Sequence, residues 1–452
     1  MAISGLKRVL GLPEVSFIAI GFTIGGGVFV FTGIVLRIAG PALPLAYGLA
    51  VIPVFISMLP LAMLGAAIPA TGGNYKYPSR MVSPGLAFVG VWTYALATFF
   101  GQIPLYSIAC ARYASIFLPG LSVELVAAGI ITFFMLINVL GVRLAARFQA
   151  LMVVILIAAL LYFAACGMTR FDAANLSGFG VKGAGGVFLG TALLTFTYFG
   201  SNGIIELGGE IKEPGKVIPR AFMVAFPVVM ILYLLLAIAL VGAVPWRELA
   251  AADEPLLKAG RIFLPRAGFL FFVAGGAILA LITTLNAIFI VGTKSLLALI
   301  NDNLLPRSIG SVNRRFGTAH LLFLFIWAFS LVGVFSGLPL ETFASYSALG
   351  GLIIFFPVLL ASMRLPKRYP ERYRQAGFKL KGVFLWLCPA VGFAMILFFG
   401  LVILVDLKSP LKIALFVVFI LSGGIYYYLR KRFLMRHGEN LDHILDLEDW
   451  AE

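Results

Sequence analysis

Long apolar stretches alternate along the chain with short segments that carry most of the charged residues. Most stretches hold about 20 residues or more, the length that an α-helix needs to cross ~30 Å of hydrocarbon. The pattern predicts an all-α polytopic membrane protein with about twelve spans, and the alternating pattern of a membrane β-barrel is not seen. We number them spans one to twelve, near residues 12–36, 41–68, 84–111, 121–141, 148–168, 187–209, 220–244, 267–299, 319–337, 341–363, 383–405 and 411–430.

Glycines interrupt two of these spans near their middle. Span one contains GFTIGGGVFVFTG (residues 21–33), and span six contains TFTYFGSNGIIELGGE (residues 195–210). A glycine inside a helix costs about 1 kcal/mol relative to alanine, so such breaks need an explanation. One explanation is close helix packing alone. Breaks at matching places in two halves favour another, a transporter whose binding site lies at the breaks.

The two interrupted spans each open a block of five. Because five is odd, the second block enters the membrane with the opposite orientation, which predicts a five-plus-five inverted repeat. The predicted domains are residues 1–168 (spans one to five), 187–363 (spans six to ten), two additional spans within 383–430, and a cytoplasmic tail, 431–452. We expect a loop at 169–186 and a short helix over the entrance at 245–266.

A broken span offers backbone groups that a regular helix hides. Such backbone is tolerated at membrane depth only where protein buries it or where it lines a wet cavity. The freed amides and the positive end of the next half-helix favour an anion such as a carboxylate. Glycine permits close approach of a substrate and also positive φ angles.

Composition and charge agree with a membrane protein: 61% of residues are hydrophobic, 12% are charged, and the mean hydropathy is +1.05. Most of the 34 Lys and Arg residues fall on one side when the N-terminus is placed inside. We therefore expect both termini in the cytoplasm, and we attribute the net charge of +15 to topology rather than to nucleic-acid binding. The three cysteines and three histidines form no spaced motif, so we expect no disulfide, metal site or cofactor.

Four motifs resemble those of the amino acid–polyamine–organocation superfamily of permeases. They are IGGGVF in span one, IPATGGNYKYPSR after span two, GGEIKEPGKVIPRA at the exit of span six, and NDNLLPRSI after span eight. The resemblance implies the five-plus-five fold shared with sodium-dependent neurotransmitter transporter homologues. It also implies an amino acid substrate at mid-membrane, between spans one, three, six and eight.

The resemblance carries over to individual residues of the two breaks. It places the substrate carboxylate on the span-one amides and the amino group on the span-six carbonyls, with Phe196 at an aromatic gating position. Tyr198, Gly200 and Asn202 are similar to the pattern of light chains of heteromeric amino acid exchangers. With Gln102 from span three, the predicted binding residues are Thr23, Ile24, Gly25, Gly26, Gly27, Gln102, Phe196, Tyr198, Phe199, Gly200 and Asn202.

Common proton-coupling residues of that superfamily are missing. Leu156 stands where many members carry a lysine in span five, Asn202 where several exchangers carry a glutamate, and Met63 where another glutamate is found. Sodium is an alternative coupling ion, because Ala280, Thr283 and Thr284 match the Ala-x-x-Thr-Ser pattern of a sodium site in this fold. Its ligands would be oxygens of Gly21, Ile24, Ala280, Thr283 and Thr284. Alternatively, these threonines bond their own helix backbone.

Glu206 is the single acid in the inner half of span six, and it admits two interpretations. An intramembrane carboxylate suggests a gating or proton role, whereas a position near the helix end suggests a solvated acid. We expect the charges that follow, including Glu210, to be solvated. Tyr106 and Asn286 are further polar residues that either face the cavity or connect helices.

The sequence therefore predicts a secondary active transporter for a neutral, apolar L-amino acid in the cytoplasmic membrane. It offers no fixed acid to hold a cationic side chain. The alternative cargo is a cationic amino acid or polyamine, with Glu206 as counter-charge and proton-linked or uncoupled transport. An intramembrane enzyme would need a paired acid, a His/Asp set or a serine with a base, and none is found. The choice between monomer and homodimer stays open.

Overall fold

A computed structural model describes residues 8–438 and 441, except 116, 119, 179, 253, 314, 407 and 408. This part of the chain is mostly helical and contains no β-strand, only isolated β-bridges. In chain order the α-helices are α1 Leu12–Thr23, α2 Gly27–Ala39, α3 Leu43–Ala67, α4 Gly73–Met81, α5 Pro84–Ala95, α6 Ile103–Ala114, α7 Val123–Val139, α8 Val142–Met168, α9 Gly183–Thr195, α10 Pro214–Ala243, α11 Trp246–Ala250, α12 Pro255–Phe263, α13 Arg266–Phe271, α14 Leu279–Asn301, α15 His320–Val334, α16 Leu340–Arg368, α17 Pro370–Gln375, α18 Phe384–Asp406 and α19 Pro410–Arg436.

The helices occupy the positions of the twelve predicted spans. Ten helical segments of the described chain are long and apolar enough to cross a membrane, and α7 and α15 are shorter apolar helices at the places of spans four and nine. The prediction of an all-α, multi-pass membrane protein is confirmed. The inverted repeat and its domain limits stay predictions.

Span one is broken where its glycines predict. Helix α1 ends at Thr23, α2 begins at Gly27, and Ile24 between them has φ −77° and ψ 65°, outside the helical range. The expectation of positive φ angles is wrong for these glycines, since none of the three lies in the left-handed region. Their lack of a side chain serves close packing instead: a Cβ on Gly26 would lie 2.3 Å from the Leu281 Cδ2 atom.

Span six changes its helix type at the predicted break. Regular helix α9 gives way at Phe196 to a 3₁₀ helix that continues to Glu206. Eleven residues exceed the few that a 3₁₀ helix usually holds, because its hydrogen bonds are poorer. The break is therefore a tightened helix, not an unwound loop.

Two further spans contain wide turns that the sequence did not predict. Residues Leu96–Gln102 between α5 and α6 form π-helix, and so do residues Phe272–Ile278 between α13 and α14. The π-helix is rare and often marks a functional position.

Helix α1 lies at the centre of the molecule, against α8, α10, α14 and the 3₁₀ helix of span six. Helices α18 and α19 lie at the periphery, where apolar side chains such as Leu397 and Leu411 are exposed. A lipid bilayer accounts for this exposure, because its tails are the solvent for apolar side chains.

The connecting segments differ in detail from expectation. The loop predicted after span two contains helix α4, whose Lys76 and Arg80 are buried instead of lying in a solvated loop. Residues 245–266 hold α11 and α12, two short helices instead of one, and 169–186 includes a 3₁₀ turn at Ala173–Leu176. Helix α19 runs into the predicted tail, and residues 439, 440 and 442–452 lie outside the described chain.

Candidate functional site

A cavity of about 80 Å³ lies between the two broken spans. Spans one, three, six and ten contribute its walls, whereas no span-eight residue of the described chain lines it. Span ten thus contributes a wall that was not predicted, and the substrate position between spans one, three, six and eight stays a prediction. The lining residues are Phe22, Thr23, Gly25, Gly27, Tyr94, Thr98, Gln102, Tyr106, Phe196, Thr197, Phe199, Gly200, Asn202, Ser347, Ala348, Gly351 and Leu352.

The break in span one presents fewer free amides than its sequence suggests. The Ile24 amide donates to the Ile20 carbonyl (2.8 Å), and the Gly25 amide donates to the Thr23 carbonyl (2.8 Å). In the described chain, the amides of Gly26 and Gly27 donate to no backbone carbonyl. They stand at the N-terminus of α2, where the helix dipole favours an anion. Of the four amides predicted to bind the carboxylate, these two have no backbone acceptor in the described chain.

The break in span six approaches the break in span one backbone to backbone. A Cβ on Gly200 would lie 2.2 Å from the Phe22 carbonyl oxygen and 2.6 Å from the Thr23 amide nitrogen. Real Cβ atoms do not approach this closely, so only glycine fits. The absence of a side chain at Gly200 thus allows the two breaks to pack backbone against backbone.

Polar groups reach the cavity from the π-helical part of span three. Thr98 and Gln102 both belong to this wide turn and both line the cavity. The Gln102 Nε2 atom lies 3.4 Å from the Tyr106 hydroxyl, which lines the same wall. No acidic or basic side chain of the described chain lines the cavity.

Three predicted binding residues lie behind the wall. Ile24 and Gly26 do not line the cavity, although they belong to the break that forms it. Tyr198 is fully buried, and its hydroxyl donates to the Tyr47 carbonyl (3.2 Å). Tyr198 and Ile24 thus do not line the cavity, whereas Phe196 and Phe199 do.

Tyr233, on α10, is a residue that sequence reasoning missed. Its buried hydroxyl lies 3.1 Å from the Thr23 carbonyl oxygen and 3.4 Å from that of Thr197. One hydroxyl thus contacts both breaks from behind. The span-ten residues were also missed, although the small residues of SALGGL indicate a close approach there.

The five residues of the predicted sodium site lie together only in part. The Thr284 Oγ1 atom lies 3.4 Å from the Gly21 carbonyl oxygen and 3.2 Å from that of Ala280. The Thr283 hydroxyl lies 3.1 Å from the same Ala280 carbonyl. Both threonines thus bond their own helix, as the alternative interpretation expects, and Thr284 also reaches span one. Oxygens converge there, and a sodium ion would need both hydroxyls to turn.

Glu206 lies outside the cavity and deep inside the protein. Its side chain is 2% exposed, so the interpretation as a solvated acid is wrong. One carboxylate oxygen accepts from the Asn74 backbone amide (2.8 Å) and the other from the Ser295 hydroxyl (2.7 Å). Glu210 is also buried, contrary to expectation, and its carboxylate lies 2.9 Å from the Lys294 Nζ atom. We call Asn74, Glu206, Glu210, Lys294 and Ser295 the Glu206 cluster.

Asn286 connects helices instead of facing the cavity. Its side-chain amide donates to Gln149 (2.9 Å) and to the Ala145 carbonyl (3.0 Å), and its Oδ1 atom accepts from Asn138 (3.0 Å). Buried polar groups form such networks because an unsatisfied one is costly.

Two interrupted spans thus border a cavity without charged lining side chains in the described chain. The sequence profile of the amino acid permease family matches residues 14–437. The chain belongs to this family. The resemblance to the amino acid–polyamine–organocation superfamily is confirmed, and the amino acid permease is a transporter, not an enzyme.

Relatives of this amino acid permease differ in the cargo that their names state. It is 27% identical to the branched-chain amino acid permease BcaP of Bacillus subtilis, over 94% of both chains. It is also 27% identical to the methylthioribose transporter of the same organism, again over 94% of both chains. The vacuolar cationic amino acid transporter 4 of Arabidopsis thaliana is 26% identical over 69% of this chain and 55% of its own.

Proposed function

We propose that this permease moves a neutral, apolar L-amino acid across the cytoplasmic membrane by alternating access. The observation that supports this proposal is a cavity with aromatic walls, no charged lining side chain in the described chain, and the Gly27 amide without a backbone acceptor at a helix N-terminus. The Gly27 amide receives the carboxylate. Carbonyls of Phe196, Phe199 or Gly200 receive the ammonium group, and Phe196, Phe199 and Leu352 surround the side chain.

A cationic substrate fits this cavity less well. A buried positive side chain needs a partner, because an unpaired charge in a low-dielectric site is costly. The acid offered for that role by the sequence, Glu206, does not line the cavity. The branched-chain permeases of Bacillus subtilis and Lactococcus lactis among the relatives support an apolar cargo. We place both termini in the cytoplasm, on the basis of the Lys and Arg distribution.

Sodium is the co-transported ion in our hypothesis for coupling. Its support is the convergence of the Thr284 hydroxyl with the Gly21 and Ala280 carbonyls, next to the break in span one. Ile24 and Thr283 complete the proposed oxygen set. A hard monovalent ion suits uncharged oxygen ligands of this kind.

The test is uptake of labelled leucine into proteoliposomes of the purified protein, with and without a sodium gradient. We expect isoleucine and valine to compete at least tenfold better than arginine, putrescine or methylthioribose. Thr284→Ala should remove the sodium dependence. Thr93→Ala is the matched control, because Thr93 makes the same bond to its own helix (2.8 Å to the Val89 carbonyl) outside the cavity.

The outcomes separate the parts of this proposal. Absence of accumulation and exchange for every amino acid tested contradicts the transport function. Stronger competition by arginine or putrescine favours the cationic cargo. Uptake that is equal without sodium refutes the sodium site and leaves the substrate assignment intact.

A further inference from the structure

Glu206 is a buried carboxylate that the proposed binding site does not use. It is the last residue of the 3₁₀ helix of span six, and its carboxylate is hydrogen-bonded to residues of α4 and α14. The described titratable side chains that act on it electrostatically are Lys294 on α14, Tyr77 on α4 and Tyr94 on α5. Asn74 and Ser295 are its hydrogen-bond donors.

The nearby cation is already engaged by another acid. The Lys294 Nζ atom lies 3.0 Å and 2.9 Å from the two carboxylate oxygens of Glu210, and both side chains are buried. In the described chain Glu206 forms no ion pair. Burial without a paired cation destabilises the charged form of a carboxylate relative to its protonated form, because the charge is poorly solvated.

Asn74 is placed to respond to that proton. Its backbone amide donates to the Glu206 carboxylate, and its buried Oδ1 atom has no donor in the described chain. A protonated Glu206 carries an O–H group that can donate to this oxygen. The same residue pair thus offers partners to both protonation states.

The bonds of Glu206 join the end of span six to α4 and α14. Its backbone carbonyl accepts from the Gly72 amide (3.0 Å), and its carboxylate joins α4 to α14 through Asn74 and Ser295. In the predicted topology this end of span six faces the cytoplasm. The charged form accepts two hydrogen bonds at once, and a proton converts one acceptor into a donor. Protonation therefore rearranges the bonds that join span six to α4 and α14.

We propose that Glu206 is the proton-binding site that couples proton movement to opening of the cytoplasmic side. A hydronium ion in the open cavity gives its proton to the Glu206 carboxylate and becomes water, and the carboxylic acid releases the proton once the cytoplasmic side opens. Tyr94, on the neighbouring helix α5, lines the cavity. This inference rests on the proposed transport function and is independent of sodium, which is varied separately.

The experiment measures substrate accumulation and proton entry in the same proteoliposomes, at constant sodium. A lumenal pH dye reports protons, and an outside-acid gradient of one pH unit supports up to about tenfold accumulation for one proton per substrate. We expect the wild-type protein to accumulate leucine and to acidify the lumen when leucine is added. Glu206→Gln keeps an acceptor for Asn74 and a donor for Ser295 but binds no proton. It should lose gradient-driven accumulation and lumenal acidification, while counterflow stays measurable.

Glu213→Gln is the matched control, since Glu213 is an exposed acid in the same segment, paired with Lys216 at 2.7 Å. It should accumulate leucine as the wild type does. Proton entry with Glu206→Gln equal to that of the wild type overturns the proposal, and so does wild-type transport without proton entry. If the variant shows neither counterflow nor a normal thermal midpoint, Glu206→Asp decides, and failure of this acid to restore acidification also overturns it. Absence of any wild-type transport refutes the proposed function instead.

Discussion

Single glycines determine how closely the two breaks approach each other. Gly200 is the clearest case, because its Cα faces backbone atoms of Phe22 and Thr23 that cannot turn aside as a side chain can. The glycines of span one face side chains instead: a Cβ on Gly25 would lie 2.6 Å from the Thr284 Oγ1 atom. The tolerance for a methyl group should therefore differ between the two breaks.

Gly200→Ala is expected to reduce leucine uptake at least tenfold and to destabilise the protein by about 1–3 kcal/mol, the usual cost of overpacking. The cause is separation of the two breaks, which displaces the carbonyls of span six from the amides of span one. Uptake in proteoliposomes and thermal unfolding in detergent measure the two effects. Gly424→Ala in α19 is the control, because nothing lies within 4 Å of its added Cβ. Equal uptake by the two variants would contradict the assigned contact.

Helix α10 supports both breaks through one hydroxyl. Tyr233→Phe is expected to raise the KM for leucine at least threefold, because the Thr23 and Thr197 carbonyls lose a shared donor and shift. The Thr23 carbonyl keeps the Gly25 amide as a donor, so the expected loss is that of one net hydrogen bond, about 0.5–1.5 kcal/mol. Initial uptake rates over a range of leucine concentrations give KM and the maximal rate separately.

Tyr426→Phe is the matched change for this measurement. Its hydroxyl also donates to a carbonyl, that of Leu304 (2.9 Å), but on α19 and away from the cavity. It should lose comparable stability and keep the wild-type KM. If both variants share one KM, Tyr233 has a purely structural role.

At the scale of elements, hydropathy and glycine positions predicted most of the architecture. The apolar runs placed the spans, and the breaks at Gly25–Gly27 and Gly200 located two walls of the cavity. The π-helix of span three was not predictable, because LATFFGQ carries no signal that separates a π-turn from an α-helix. Thr98 and Gln102, which both lie in this π-helix, line the cavity.

At the scale of the whole molecule, sequence reasoning failed where distant charges pair. Glu210 was expected to be solvated because it lies near the end of span six. In the structure Glu210 pairs with Lys294, and Arg80 pairs with Asp302 across α4 and the end of α14. Pairs separated by 84 and 222 positions leave no local pattern in a single sequence.

The Glu210–Lys294 pair yields a prediction about stability. Lys294→Gln leaves the Glu210 carboxylate buried without its partner, which typically costs about 3–5 kcal/mol. The double variant Lys294→Gln with Glu210→Gln removes both charges and should recover more than half of that loss. Thermal unfolding in detergent compares the single and double variants. Arg374→Gln is the control, because the Arg374–Glu371 pair at 3.0 Å is exposed and worth less than about 1 kcal/mol. A double variant no more stable than Lys294→Gln would show that the buried charge of Glu210 is not what this pair neutralises.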